Sequence, residues 1–261
     1  MKVGFFIAGM QKAGTTALDH FLRAHPSIQM AREKEPHFFD DDTVDWRAPD
    51  YDRLHRLYEP GEPAPTLWGE ATPITLYWPG AVERVLAYNP EARFIVGLRH
   101  PTFRAFSHWR METKFGHETL SFDEATSPPA RERVRMAPGR AHRVFSYVER
   151  GFYADQIARL FRLVAPARAC FYRTDRLWTE PETVLAEIQD FLGVERRLVA
   201  ESRYIVPVDT SEFGAMPASA RLRLDREFHR DIASTAALTG LDLSDWLAPR
   251  YEEPMRRAGS P

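Results

Sequence analysis

The first 25 residues constrain the fold more than any other stretch of the chain. Residues 3–8 (VGFFIA) form an apolar run that Gly9 closes, and a helical pattern with Leu18, Phe21 and Leu22 on one face follows it. Such a run is typical of a parallel strand that is buried on both faces. The strand, the glycine-containing turn over residues 9–16 and the helix together predict the first βα unit of a parallel sheet.

Strand and helix patterns alternate further along the chain. We predict strands over residues 93–98 and 169–172, and loops with at most short helices over residues 29–65. Helices are predicted over residues 80–88, 154–164, 181–192 and 219–239, with one more beginning at Pro101. This alternation predicts a three-layer α/β fold with a central, mostly parallel sheet flanked by helices. We expect a single domain over residues 1–261, with a lid loop at 116–145 and a frayed tail at 250–261.

Charge and cysteine content limit the partners. The chain has 35 Lys and Arg against 37 Asp and Glu, a net charge of −2, which argues against bulk nucleic-acid binding. The single cysteine, Cys170, excludes an internal disulfide and a cysteine-cluster metal site. The apolar stretch at the N-terminus is too short to span a bilayer. We therefore expect a cytoplasmic protein with neither a nucleic-acid partner nor a membrane span; the sequence leaves the oligomeric state open.

Residues 9–16 (GMQKAGTT) have the glycine spacing of a phosphate-binding loop. Backbone N–H groups of such a loop point inward, and the following helix N-terminus adds partial positive charge. Nucleoside triphosphatases place a lysine directly after the second glycine, whereas here Thr15 holds that position and the lysine is Lys12. A lysine early in the loop would contact the terminal group of the ligand and the bridging oxygen of the bond that is being broken. The alternative is a plain glycine turn in which Lys12 is solvated.

Two blocks of sequence resemble one enzyme family. Residues 11–18 (QKAGTTAL) are similar to the 5′-phosphosulfate loop of sulfotransferases that use 3′-phosphoadenosine 5′-phosphosulfate (PAPS). Residues 93–108 (RFIVGLRHPTFRAFSH) resemble the family's 3′-phosphate block, in which a strand ends in Arg99, Pro101 opens a helix and Ser107 follows. His100 departs from the pattern, because the family more often has Asp or Asn there. The resemblance covers roughly residues 3–193 and is strongest to the heparan-sulfate-type and bacterial small-molecule branches.

The resemblance implies a P-loop-like fold and a nucleotide donor, PAPS, that leaves as 3′-phosphoadenosine 5′-phosphate (PAP). Arg99 offers a planar fork of donors to the 3′-phosphate, and an Arg-Gly-x-Tyr segment at residues 150–153 is similar to one near the nucleotide in relatives. The ordinary alternatives are a strand-end salt bridge for Arg99, an exposed helix serine for Ser107 and a core tyrosine for Tyr153. The implied donor-binding residues are Gln11, Lys12, Ala13, Gly14, Thr15, Thr16, Arg99, Ser107, Arg150 and Tyr153.

A base is also needed, because an acceptor hydroxyl must lose its proton as it attacks sulfur. Residues 32–40 (REKEPHFFD) resemble the Glu-x-His-Phe-Phe-Asp segment of the heparan 3-O-sulfotransferase branch, in which the glutamate is the catalytic base. The resemblance assigns that role to Glu35, with His37 in support. The alternative is a solvated charge run, and the competing bases are Glu33, His20, His37 and His108.

The sequence features that concern the acceptor are less specific than those that concern the donor. Glu70 lies in a segment, residues 69–73 (GEATP), whose equivalent in relatives contributes charged groups to the acceptor site, and Ala71 stands where they often have Lys. Trp46, Trp68 and Trp109 are aromatic candidates for an acceptor cleft, or ordinary core residues. These features favour a small-molecule, glycosylated or lipidic acceptor over a polyanionic chain, with an amine as an alternative to a hydroxyl.

The sequence therefore predicts a sulfotransferase that moves a sulfuryl group to an acceptor hydroxyl by in-line displacement, as in natural product tailoring. Lys12 and Glu35 would be the catalytic residues with His37 in support, and no metal is required because Lys12 and the helix dipole already meet the leaving phosphate. Two other functions stay open: a small-molecule kinase with an atypical phosphate loop, and a catalytically silent nucleotide-binding module.

Overall fold

Five parallel strands form one sheet in the order β2-β3-β1-β4-β5. The computed structural model describes residues 1–59, 65–197 and 210–254. Within these ranges the sheet confirms the predicted α/β class and its parallel pairing. The strands are β1 Phe5–Gly9, β2 Ile28–Met30, β3 Leu67–Ala71, β4 Arg93–Leu98 and β5 Ala169–Arg173.

The prediction of loops with at most short helices over residues 29–65 was wrong at its beginning, where β2 lies, and β3 just beyond it was not predicted. β2 has only three residues, and Leu67 and Trp68 of β3 are partly exposed. Neither strand therefore has the long apolar run that identifies β1 and β4 in the sequence.

Ten α-helices lie in the described part of the chain. None of them combines the length and the apolar character needed to cross a bilayer. The predicted lid loop over residues 116–145 contains two short helices and a 3-10 turn. The helices are α1 Thr15–Arg23, α2 Asp52–His55, α3 Ala81–Tyr88, α4 Pro101–Lys114, α5 Phe122–Ala125, α6 Glu132–Arg135, α7 Tyr153–Leu163, α8 Thr174–Thr179, α9 Pro181–Leu192 and α10 Ala218–Thr239.

The chain divides into two compact units. The first holds described residues 1–59, 65–98, 160–197 and 254, and therefore the whole sheet. The second holds described residues 99–159 and 210–253, including α4 and α10. The single domain over residues 1–261 stays a prediction.

Side chains alternate across the sheet of the first unit, as period-two strand geometry requires. Phe5 and Ile7 of β1 belong to a buried cluster with residues of α1 and α9. Phe6 faces the other way, its ring centroid 5.5 Å from that of Phe39 and 6.1 Å from that of Phe94. Both faces of β1 are thus buried, and the loop that follows it rests on a covered central strand.

Candidate active site

The loop between β1 and α1 is fixed to the sheet by backbone hydrogen bonds. The Met10 N–H donates to the Gly97 carbonyl on β4 (2.9 Å), and the Ala13 N–H donates to the Met10 carbonyl (3.0 Å). Gly14 precedes α1 with φ 76°, in the left-handed region that glycine adopts at little cost. The first N–H groups of α1 have no partners within the helix, and their partial positive charge favours an anion in front of this loop.

Close packing beneath the loop explains a glycine on the neighbouring strand. A Cβ atom on Gly97 would lie 2.9 Å from the Ala13 carbonyl oxygen and 2.5 Å from the Tyr172 hydroxyl oxygen. The Thr174 hydroxyl donates to the same Ala13 carbonyl (3.0 Å). The loop therefore lies directly on β4 and is supported from the start of α8.

The predicted donor-binding residues of this loop differ in exposure. Thr15 is buried, whereas Gln11, Lys12 and Thr16 are half-buried. Lys12 has φ 69°, a conformation that costs a non-glycine residue energy and that clusters at functional sites. The ammonium of Lys12, the loop N–H groups and the threonine hydroxyls are donors of the kind that phosphate and sulfate groups accept, and their role in donor binding stays a prediction.

The segment that carries Glu35 follows β2 and is joined to the end of β3. The Glu35 N–H donates to the Ala71 carbonyl (2.9 Å), and its carboxylate forms an ion pair with Lys34. His37 Nε2 lies 3.8 Å from Glu35 Oε2, and His37 Nδ1 lies 2.8 Å from Oδ2 of the fully buried Asp40. Asp40 thus fixes the imidazole ring through one nitrogen, while the other nitrogen lies near Glu35 but beyond hydrogen-bond distance.

Strain and topology single out the same residues. The non-glycine residues with positive φ in the described ranges are Lys12, Glu35, His37 and Arg140. The three residues predicted as catalytic make up most of this set. The segments that follow β1 and β2 and the end of β3 lie at the same edge of the sheet, because the strands are parallel neighbours. That edge is where open α/β sheets bind their ligands.

Glu70 at the end of β3 is a buried carboxyl group, 1% exposed. Desolvation raises its pKa to about 8, and the negative charges of Asp40 and Glu35 add to the rise. A hydrogen bond from Thr72 and the charge of His37 act against it. Thr72 donates to Oε1, whereas Oε2 has no hydrogen-bond partner among the residues that the structure describes. The sequence identified Glu70 as an acceptor candidate but gave no sign of its burial.

Glu70→Gln is expected to reduce the loss of stability between pH 5 and pH 8. The folded-state pKa lies above the ordinary 4.5, so the folded protein keeps a proton that the unfolded chain releases, and stability falls as pH rises toward 8. For Glu70 that fall amounts to about 3 kcal/mol. Urea unfolding at pH 5, 6.5 and 8 measures it; exposed Glu83→Gln is the control. An unchanged pH slope in Glu70→Gln would contradict the assignment.

In the second unit, Arg99 is paired with a carboxylate. Its Nε and Nη2 donate to Oε1 and Oε2 of Glu253 at 2.7 Å and 2.5 Å. The strand-end salt bridge considered for Arg99 is therefore present. Ser107 lies on α4 and is 9% exposed, so it is not an exposed helix serine.

The two remaining donor candidates are buried in the second unit. The Tyr153 hydroxyl donates to the Arg99 carbonyl (2.7 Å), and desolvation raises the pKa of this phenol. Arg150 is 3% exposed, and its Nη2 donates to the Arg143 carbonyl (2.7 Å). Both side chains are buried and donate to backbone carbonyls, and their assignment to the nucleotide stays a prediction.

The aromatic acceptor candidates also make contacts within their own units. The ring N–H groups of Trp46, Trp68 and Trp109 donate to the Asp41 carbonyl (2.9 Å), Gln29 Oε1 (3.1 Å) and the Leu120 carbonyl (2.9 Å). All three rings are half-buried, so each leaves part of its surface to a ligand.

The competing bases differ from Glu35 in their surroundings. Glu33 and His20 are exposed, whereas His108 is fully buried in the second unit with Nε2 3.3 Å from Glu112 Oε1. Among these candidates, Glu35 and His37 have positive φ. His37 is itself exposed, but its ring is bonded to Asp40.

Comparisons with known proteins agree with this geometry. A family model described as the sulfotransferase domain matches residues 3–216. Heparan sulfate glucosamine 3-O-sulfotransferase 6 of Mus musculus is 32% identical over 194 residues, 73% of this chain and 52% of that protein. Bifunctional heparan sulfate N-deacetylase/N-sulfotransferase 3 of Homo sapiens is 30% identical over 200 residues, 73% of this chain and 22% of that protein. The chain thus spans about half the length, or less, of these curated relatives.

Solved structures give the same result. The crystal structure of a sulfotransferase from Alicyclobacillus acidocaldarius superposes with a TM-score of 0.77 and 29% identity, covering 94% of this chain and 99% of that one. A mouse sulfotransferase solved in complex with PAP has a TM-score of 0.51 and 12% identity, covering 95% of this chain and 90% of that one. The latter similarity extends to the fold alone.

Proposed function

The chain belongs to the sulfotransferase domain family, and from this premise we propose that it transfers a sulfuryl group from PAPS to a hydroxyl group of a small-molecule acceptor. The main support is one observation: the strained residues Lys12, Glu35 and His37 follow β1 and β2, the parallel strands on either side of β3, at one edge of the sheet. The donor set of the loop suits a phosphosulfate, since it offers an ammonium, backbone N–H groups and two hydroxyls to one anion.

The proposed reaction is an in-line displacement at sulfur. The acceptor oxygen attacks sulfur while its proton passes to the carboxylate of Glu35, and the bond between sulfur and the 5′-phosphate oxygen breaks. Lys12 neutralises the charge that develops on the departing oxygen, assisted by the loop N–H groups and by Thr15 and Thr16. His37, fixed by Asp40, positions Glu35. This scheme assigns the whole charge of the leaving group to protein donors and needs no metal.

Arg99 and Ser107 take the 3′-phosphate in this proposal, with Arg150 and Tyr153 beside the nucleotide. The family resemblance of residues 93–108 supports the assignment, as does the planar fork of Arg99. The proposal also includes a cytoplasmic location, which the single cysteine favours, and a role in natural product tailoring.

The proposed class of acceptor is inferred from Ala71 and from the rings of three tryptophans. Ala71 replaces the lysine that relatives often carry, which removes a cation suited to a polyanionic chain, and the half-buried rings of Trp46, Trp68 and Trp109 suit an apolar or glycosylated molecule. The relatives named above include a heparan sulfate glucosamine 3-O-sulfotransferase. We expect phenolic, lipidic and glycosylated hydroxyl compounds to accept sulfate more readily than a heparan sulfate oligosaccharide or an amine.

Nucleotide binding tests the proposal against its two alternatives. Calorimetry should show that PAP binds at least tenfold more tightly than ATP with Mg²⁺. Arg99→Ala should raise the Kd for PAP by about 10- to 100-fold, the cost of losing charge-assisted hydrogen bonds. Preference for ATP with Mg²⁺ would indicate a kinase. Tight PAP binding with no transfer from labelled PAPS to any of these acceptors would indicate a silent nucleotide-binding module.

A further inference from the structure

Arg99 is held by a carboxylate in the geometry that a phosphate would use. Two parallel bonds, of 2.7 Å and 2.5 Å, join its Nε and Nη2 to the two oxygens of Glu253. The two side chains are only 20% and 18% exposed. Planar bidentate pairing of this kind is the way in which arginine binds both carboxylates and phosphates. The same two N–H groups cannot serve Glu253 and a phosphate at once.

The segment that brings Glu253 to Arg99 is packed against other residues of the second unit at several points. We call residues 244–253 the strap. Its 3-10 turn, Ser244–Leu247, places the Trp246 carbonyl oxygen 3.2 Å from His100 Nε2. Tyr251 is 7% exposed and stacks on the His100 ring, with centroids 5.0 Å apart and planes 11° apart. Arg221 donates to the Tyr251 carbonyl (2.7 Å). The predicted frayed tail over residues 250–261 contains the buried Tyr251 near its start, and residues 255–261 lie outside the described ranges.

His100 is the main contact of the strap, and it is also the residue that departs from the family pattern. Burial lowers the pKa of His100 to about 4, and the positive charge of Arg221 lowers it further. The negative charges of Asp225 and Glu253 and the hydrogen bond to the Trp246 carbonyl act in the opposite direction. The imidazole is therefore neutral at physiological pH and adds no cation beside Arg99.

These contacts suggest a second role for the pair. We infer that Glu253 determines the affinity and specificity of the donor site by competing with the nucleotide 3′-phosphate for the donors of Arg99. This inference rests on the proposed function, since it takes Arg99 as the 3′-phosphate residue. When the nucleotide binds, the carboxylate leaves the two N–H groups and the strap loosens at its end; when PAP leaves, the carboxylate returns and favours product release.

The test compares two adjacent glutamates and two nucleotides. Glu253→Gln keeps the size of the side chain but removes the charge that competes with phosphate, and Glu252→Gln is the matched control at an exposed neighbour. Calorimetric titration with PAP should give a Kd about tenfold lower for Glu253→Gln than for wild type, and an unchanged Kd for Glu252→Gln. Adenosine 5′-phosphate, which lacks the 3′-phosphate, should bind all three proteins equally.

The Arg99→Ala variant provides a second background in which the effect of Glu253→Gln on PAP binding is measured. In that background Glu253→Gln should leave PAP affinity unchanged, because the shared donors are gone. Hydrogen exchange on the wild-type protein gives an independent measurement: the Tyr251 amide, bonded to the Ala248 carbonyl at 3.0 Å, should exchange faster with PAP present. Equal or weaker PAP binding by Glu253→Gln, while wild type binds PAP, would overturn the inference and leave the proposed function intact. Absence of PAP binding in every variant, wild type included, would instead count against the proposed function.

Discussion

Replacing Lys12 with alanine is expected to lower kcat for sulfuryl transfer by about three orders of magnitude, the cost of removing a donor that meets developing charge. In the proposed reaction the ammonium faces the oxygen that departs from sulfur. Because this charge is larger in the transition state than in bound PAPS, the loss should appear in kcat more than in PAPS affinity. Single-turnover measurements with labelled PAPS separate the two effects.

Two variants make the Lys12 result specific. Lys2→Ala removes an exposed lysine from the same unit and should leave kcat unchanged. Lys12→Arg keeps the charge at a residue with φ 69° and should recover part of the lost rate. If Lys12→Ala stays within tenfold of wild type while remaining folded, the lysine does not meet the leaving group and the mechanism proposed for this loop is wrong.

The loop could be predicted from the sequence because its signals are local. The apolar run of β1, the glycines at positions 9 and 14 and the amphipathic pattern of α1 lie within 25 residues of one another. Backbone geometry of this kind depends on near neighbours, and the family resemblance covers the same stretch. The positive φ of Lys12 could not be read from the sequence, because a lysine does not ordinarily adopt it.

The surroundings of the candidate base could not be predicted in the same way. β3 is short and partly exposed at its beginning, so its sequence pattern does not predict a strand. The burial of Glu70 depends on that strand. The pair between Arg99 and Glu253 joins residues 154 positions apart, and nothing local in either segment indicates the other. Both features arise from tertiary packing, which overrides the general preference of glutamate for the surface.

Glu35→Gln is expected to reduce kcat by about three orders of magnitude, within the range for loss of a general base. The amide cannot accept the acceptor's proton at neutral pH, yet it has nearly the same volume, so the Kd for PAP should stay within twofold of wild type. Steady-state rates together with PAP calorimetry measure both quantities. Glu33→Gln, two residues earlier and exposed, should leave both unchanged.

A structural role for Glu35 would produce a different set of results. Its carboxylate also pairs with Lys34, so Glu35→Gln removes an ion pair as well as a base. Lys34→Ala breaks the same pair but leaves the carboxylate, and it should cost less than tenfold in kcat because a partly exposed ion pair contributes little. Equal losses in the two variants would assign the effect to the ion pair. A large loss confined to Glu35→Gln would support proton abstraction by Glu35, and a rate within tenfold of wild type would leave His37, 3.8 Å away, as the base to test next.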